Sequence, residues 1–335
     1  MVNINDISKA TGFSKSTVSK ALNNRKEISK KTKTIIKAYA KKVNFKPNYY
    51  ASQLRKNEIK NVGIIIPSIQ NNFFVKVLKG AQKEFYDSGY DLVTYFIEES
   101  PSKEMQILNK LKNGSVAGIL ISLAKNPFPE NITKILLELN NFNIPIVMFD
   151  RISKEFKCDK VYIDNFQSTF ECVKHLVSRG KKKIALVSQI HDTLIGKDRY
   201  NGYVEALKSE KINFDKELYL PLEIGDVVES EITKLCLNKR IDAIISIEQK
   251  TTVALHNLIL NIGLKIPKDI AIIGFTNDHI FKHIKPSITS MDQRGEYSGK
   301  LSAKLLIDRI QNKTELKKGF RDEKIPFSLI QRESS

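Results

Sequence analysis

The chain of 335 residues reads as a small all-α helix-turn-helix head followed by a two-lobed α/β domain with parallel sheets. Three observations predict this. Short amphipathic patterns fill the first 45 residues, and the first two are broken at Gly12. Basic charge gathers in the same stretch: residues 1–60 hold 15 Lys or Arg against 3 Asp or Glu, in a chain of net charge +18. From Val62 onward, short apolar runs alternate with helical patterns over about 270 residues, which is long for one core and suits two lobes.

In the first helix, Ile4, Ile7 and Ala10 share a face; in the second, Val18, Ala21 and Leu22 do. Ser14 stands at the N-cap of the second, where its hydroxyl accepts an orphan backbone N–H. Lys15, Ser16, Thr17, Ser19 and Lys20 then form a short polar face without an acidic residue. Such a helix fits the DNA major groove, whose base edges offer acceptors to Lys and Ser. Each Lys or Arg set on a phosphate releases counterions, so binding should depend steeply on salt. Ser29 caps a third helix whose Ile35, Ile36, Tyr39, Ala40 and Val43 close a three-helix core.

Pro47 ends that helix, and Asn48 opens a short one running to Arg55. About two turns are unstable alone in water, so this segment needs a partner to order it. Two readings of Leu54 stay open on residues alone: a linker side chain packed on the body, or a wedge that enters a minor groove and kinks the duplex.

The strands of the body are Val62–Ile66, Leu92–Tyr95, Gly118–Ser122, Ile146–Phe149, Val161–Ile163, Ile184–Ser188, Ala243–Ile247 and Ile270–Gly274. The helices include Phe73–Ser88, Phe166–Arg179, Arg199–Glu210, Thr251–Ile262 and Tyr297–Ile310. A faint echo links Ile144–Asp150 with Ile266–Phe275, each a strand entered through a proline. In open α/β sheets ligands bind beyond the carboxyl ends of strands. Those ends carry Asn71, Phe73 and Phe74, then Asp150 and Arg151, then Gln249, Thr276, Asn277 and Gln293, with Arg199 near a helix start. Carboxylate, guanidinium and amide groups suit the hydroxyls of a sugar, and a flat ring suits its apolar face.

Several classes are excluded. No GxGxxG, GxxxxGKS or GxxxxGKT, GxSxG or HExxH is present, so neither catalysis nor a phosphate loop is expected. His279 and His283 share a helical spacing but lack a third ligand, and no metal or other cofactor is expected. No apolar stretch approaches the roughly 18 residues of a membrane span, and no signal peptide precedes the first helix. Cys172 and Cys236 read as buried thiols and Cys158 as part of a charged loop, which suits the reducing cytoplasm. Lys181–Lys183 reads as a solvated turn.

The residues resemble the LacI/GalR family of bacterial transcriptional regulators over essentially the whole chain. The head carries the resemblance in Asp6-Ile7, Ala10, Gly12, Ser14, Thr17-Val18-Ser19 and Leu22-Asn23; the hinge in Pro47-Asn48, Ala51 and Leu54. The body adds Asn71 with Phe73-Phe74, Gly89-Tyr90, Asp150-Arg151, Asp164-Asn165, Arg199 with Gly202-Tyr203, Ile266-Pro267 and Gly274-Phe275.

The resemblance implies a cytoplasmic homodimer, with no membrane partner, on a pseudo-palindromic DNA operator. It implies a periplasmic-binding-protein-like body that holds a small polar effector, a sugar or sugar derivative. DNA contacts would come from Ser14, Lys15, Ser16, Thr17, Ser19, Lys20, Asn23 and Ser29, and from Asn48, Ala51, Leu54 and Arg55 of the hinge. Lys15, Ser16 and Lys20 match the base-reading positions, and Leu54 matches the minor-groove wedge. Asn71, Phe73, Phe74, Asp150, Arg151, Arg199, Gln249, Thr276, Asn277 and Gln293 would meet the effector.

The implied domains are a head at 1–46, a hinge helix and linker at 47–60, and a body at 61–335. Its N-lobe covers 61–162 and 293–322, its C-lobe 163–292 and 323–335, with crossings near Asp164, Met291 and Asp322. Pro326–Ser335 shows no heptad pattern of the kind that would add a tetramer.

Departures also carry expectations. Ser52 replaces a common arginine, and Asn72 a common proline, which loosens that loop. Gln249 and Thr276 replace acidic residues, so a pocket short of carboxylates would admit an acidic or phosphorylated sugar. Two rival readings are a sugar-binding protein without a regulatory role and an α/β sugar-processing enzyme. The basic head argues against the first, and the lack of a nucleophile–base pair against the second.

Overall fold

A computed structural model describes residues 3–45, 59–125, 130–222, 229–238, 240–275, 279–312 and 319–335. They form two compact units, Met1–Ile59 and Lys60–Ser335. The first contains α1 (Ile4–Thr11), α2 (Lys15–Leu22) and α3 (Lys30–Lys42). Asn3 and Asp6 form a capping box: the Asn3 side-chain oxygen accepts the Asp6 N–H at 3.3 Å, and the Asp6 carboxylate accepts the Asn3 N–H at 2.9 Å. Gly12 then turns the chain with φ +74°, a left-handed geometry in which a side chain is strained. Ser14 and Ser29 accept the N–H groups of Thr17 and Thr32 at 3.1 and 3.2 Å.

Ile7, Val18, Ala21, Ile36 and Ala40 make the head's core, with Phe13 and Ile28 packed against it. Two expected core residues are exposed, and a third, Val43, is only half-buried. Ala10 is exposed, because an eight-residue helix buries itself through Ile4 and Ile7 and Phe13 fills the space beyond. Ile35 is 44 % exposed. It lies about 100° around the helix from Ile36, and so small a core takes only one of the two.

The second unit holds two six-stranded sheets. The first is built from β1 (Asn61–Ile66), β2 (Asp91–Phe96), β3 (Ile119–Ile121), β4 (Ile146–Phe149), β5 (Asp159–Ile163) and β11 (Asp322–Ile325), in the order β2-β1-β3-β4-β5-β11. The second uses β6 (Ile184–Ser188), β7 (Tyr219–Pro221), β8 (Ala243–Ser246), β9 (Ala271–Gly274), β10 (Thr289–Asp292) and β12 (Ser328–Ile330), in the order β7-β6-β8-β9-β10-β12. The pairs are parallel apart from β10 with β12. The two orders are the same when the strands are matched in sequence. The proline-led strands β4 and β9 hold equivalent places, which accounts for their similarity.

Helices cover both faces, as the near-continuous apolar runs require. On the first sheet, α4 (Asn72–Asp87) and α12 (Gly295–Gln311) lie on one side, and α5 (Pro101–Leu111) and α6 (Glu130–Asn141) on the other. On the second, α7 (Asn165–Ser178) and α8 (Leu194–Ser209) face one core. The opposite core takes α9 (Glu229–Leu237), α10 (Gln249–Asn261) and α11 (His279–His283).

The chain passes between sheets after β5, after β10 and between β11 and β12. The third crossing thus follows Ile325 rather than Asp322, because β11 completes its pairing with β5 first.

Three smaller expectations change. Cys158 is buried, like Cys172 and Cys236, because its loop packs back on the first sheet. Lys181 is not simply solvated: its ammonium donates to the carbonyls of Pro267 and Lys268 at 2.9 and 3.0 Å. Asn72 sits in the first turn of α4 rather than in a loosened loop, because the Asn71 side chain caps the helix by accepting the Phe73 N–H at 3.0 Å. Among the described residues no helix is long and apolar enough to cross a membrane, and no group of three potential metal ligands occurs.

Candidate DNA face and effector cleft

On α2, Lys15 and Ser16 are exposed, and among the described residues neither side chain has a partner. The other expected contacts are partly committed. Thr17 shares a hydroxyl contact of 2.9 Å with Ser14, and the Asn23 amide donates to the Ser19 carbonyl at 2.9 Å. Lys20 stands 3.6 Å from Glu27, an acidic neighbour missed when α2 is read alone. Ser29 is exposed at the start of α3 and spends its oxygen on the Thr32 cap. Asn48, Ala51, Leu54 and Arg55 lie outside the described residues, as do Thr276 and Asn277 of the expected effector set.

A cavity of about 240 Å³ opens between the two sheets, at the carboxyl ends of their strands. Asn71, Phe73, Phe74, Asp150, Arg151, Arg199, Gln249 and Gln293 all line it. Phe74 is almost wholly buried and meets Phe149 edge-on, so most of that ring is core. Gln293 is buried where the chain crosses back to the first sheet.

Asp150 ends β4 with φ +57°, and its amide donates to the Val161 carbonyl at 2.9 Å. That left-handed step, which Asp tolerates better than most residues, turns the carboxylate out of the strand line. Burial pushes the Asp150 carboxyl upward, against the pull of Arg151 and Arg199. Arg199 is 3 % exposed; its Nε donates to the Asn165 side-chain oxygen at 3.0 Å, and its guanidinium covers the Phe275 ring. Burial lowers it to about 10, opposed by Asp150 and Glu248. It stays charged near neutrality. Arg199 lies in the second turn of α8 rather than at its start, because Thr193 caps the helix and opens it at Leu194, five residues before the expected boundary.

Glu99, Lys125, Gln189, Glu248 and Lys250 also line the cavity and were not singled out from sequence. Arg151 forks onto Glu99, with one contact at 3.0 Å, and Glu99 is aimed by two successive left-handed residues, Glu98 and Glu99. Across the cleft Lys125 reaches Asp192 of the other lobe at 3.5 Å, and Lys250 donates to the Gln70 side-chain oxygen at 2.7 Å.

Glu248 precedes α10 without capping it; one oxygen accepts the Gln189 N–H at 3.1 Å. Burial pushes its carboxyl up to about 7. The expected shortage of carboxylates is therefore overturned: Glu99, Asp150 and Glu248 all face the cavity. Following the strand ends further would have found Gln189 and Glu248; no local signal points to Glu99.

Comparison with known proteins follows the same division. Residues 3–48 match the model for bacterial regulatory proteins of the lacI family, and residues 173–335 match that for the periplasmic binding protein-like domain. The NTD biosynthesis operon regulator NtdR of Bacillus subtilis (strain 168) is 27 % identical over 339 residues, covering 100 % of both chains. A lac repressor dimer bound to operator and the anti-inducer ONPF superposes with a TM-score of 0.83 at 20 % identity, covering 99 % of this chain and 98 % of that one. A LacI family transcriptional regulator from Enterococcus faecium with bound ribose gives 0.71 at 25 % identity, covering 82 % and 98 %.

Proposed function

Since the chain is a LacI-family transcriptional regulator, with a lacI-type head and a periplasmic-binding-protein-like body, we propose that it is a dimeric repressor controlled by a sugar or sugar derivative. The observation that carries this reading is a polar cavity shared by both lobes, in the same chain as an exposed, basic, groove-sized helix. Two heads, residues 1–46 of each protomer, read half-sites in adjacent major grooves of cytoplasmic DNA. The hinge segments at 47–60 order on the operator, where Leu54 opens the central minor-groove step.

Effector binding between Asp150, Arg199 and Gln293 shifts the balance of lobe arrangements. It acts only through its different affinity for the DNA-competent and DNA-incompetent states. The named relatives are regulators, so an enzyme acting on the bound sugar is not favoured.

Selection from a random duplex pool with the purified protein tests the reader. One enriched inverted repeat, released or tightened by a sugar, is the expected result. Salt-sensitive binding without an enriched motif overturns it.

A further inference from the structure

We propose that the effector of this cleft carries a protonated amine, an amino sugar or amino polyol, held where Glu248 and Gln249 present buried acceptors. The proposal rests on the effector-cleft reading above. It starts from which hydrogen-bonding groups of the cavity are already spoken for.

The cavity's cations are largely engaged by the protein. Arg151 is taken by Glu99, Lys125 by Asp192 and Lys250 by Gln70. Arg199 gives its Nε to Asn165 and one face to Phe275. An anionic ligand would have to break these contacts or compete for the rest of Arg199 beside two carboxylates.

The acceptors are in the opposite condition. Glu248 Oε1 and Gln249 Oε1 are buried, belong to adjacent residues on the cavity wall, and have no hydrogen-bond partner. Buried polar atoms left unpaired are rare and costly, and a pair of them on one wall calls for a donor.

A neutral hydroxyl supplies one donor and no charge. An ammonium supplies three donors and a positive charge beside a desolvated carboxylate, and the resulting bonds are roughly twice as strong as neutral ones. The ligand's hydroxyls are left for Asp150, Arg199 and Gln293, each of which lines the same cavity. Binding also moves a proton. Burial pushes the Glu248 carboxyl up to about 7, against the Gln189 N–H and the charges of Arg199, Lys125 and Arg151. An ammonium adds to that pull, so part of the proton leaves at neutral pH.

Titration calorimetry on the full-length protein at pH 7 compares glucose, galactose and mannose with their 2-amino-2-deoxy and 2-acetamido-2-deoxy forms and with glucose 6-phosphate. At least one amine should bind tenfold or more tighter than its parent and its acetamide. It should release protons, read from two buffers of different ionisation enthalpy. Glu248→Gln, which keeps the acceptor for the Gln189 amide, should reduce that preference below twofold while melting cooperatively. A neutral sugar, an acetamide or the phosphate bound as tightly as any amine overturns the amine and leaves the cleft reading standing. No binding by any member at millimolar concentration overturns both.

Discussion

The guanidinium carbon of Arg199 lies 4.3 Å from the centroid of the Phe275 ring, which packs a buried cation against an aromatic face in the wall of the cleft. The arrangement fixes the cation from behind and leaves its charge facing Asp150 and Glu248, the two carboxylates that act on it most strongly. Phe275 follows β9 directly, and Arg199 is carried by α8, so one lobe supplies both.

Arg199→Leu should therefore lower stability as well as effector binding. The substitution keeps some packing on Phe275 but takes from Glu248 the charge that acts on it most strongly and leaves Asp150 with Arg151. Removing one partner of a buried charge group costs about 3–5 kcal/mol. For a body of this size that is a fall of roughly 5–15 °C in melting temperature. Differential scanning calorimetry checks it, and an unchanged midpoint would show that the carboxylates are relieved by something else.

The fold was legible where burial is complete. The bounds of β4 and β6 are plain in the sequence, because apolar runs buried on both faces stop abruptly at Asp150 and after Ser188. The start of α8 is hidden in the sequence because its first turn contains Gly196, a poor helix former whose place there is fixed by the Thr193 cap. β11 and β12 carry charged or half-exposed residues and no apolar run, so periodicity does not mark them.

In the cleft, the strand-end rule led to Asp150 and Gln249 but passed over Glu248, one residue before the position where the family pattern places an acid. Glu99 depends on two consecutive left-handed residues and a partner 52 positions away. No local pattern encodes that pairing.

Stability should fall as pH rises from about 5 to about 8. Glu104 is 1 % exposed, accepts the Ala124 N–H at 3.2 Å, and is pushed by burial up to about 7. Its folded value lies above the ordinary carboxylate value of 4.5, so the folded protein holds a proton that the unfolded chain releases. The contribution is complete below about 4.5 and is lost as pH passes about 7; it is on the order of 3 kcal/mol. Glu248 and Asp150 act in the same direction. Glu104→Gln keeps an acceptor without a titrating proton. It should flatten the dependence of melting temperature on pH, and a slope equal to that of the parent would reject Glu104 as a source.

Gly299→Ala should disrupt the seam between α4 and α12. A Cβ there would lie 2.0 Å from the Val77 carbonyl oxygen, and Gly80 meets the Glu296 carbonyl at the same 2.0 Å from the other side. Backbone rather than a flexible side chain stands in the way, so the helices must separate. Overpacking costs about 1–3 kcal/mol when a core can adjust, and the upper end or beyond is expected here. Urea unfolding should show a lower midpoint; a wild-type midpoint would mean that the two helices slide freely.

The cysteines should not react in the folded protein. Burial pushes the Cys158 thiol up to about 12 and Cys236 up to about 11, and raises Cys172 as well. The thiolate is the reactive form, so a colorimetric disulfide reagent at pH 8 should titrate all three only after denaturant is added. Rapid labelling of even one native thiol would contradict the packing of that residue.

On the head, Lys15 and Lys20 should differ although both are proposed to read bases. Lys15 is exposed at the first position of α2, with no side-chain partner among the described residues, whereas Lys20 leans on Glu27 at 3.6 Å. Exposed ion pairs are weak, so Glu27 only biases Lys20 and does not remove it. Lys15→Ala should cost about 1–3 kcal/mol of operator affinity and relax preference at one base pair in each half-site. Glu27→Gln should tighten binding modestly by releasing Lys20, and the gain should shrink as salt is raised. Neither change should move the melting temperature of the head, since both lie on its surface. Fluorescence anisotropy on the selected operator, repeated at several salt concentrations, measures all of these effects. Uniform loss of affinity across unrelated sequences on Lys15→Ala would instead place that ammonium on phosphate.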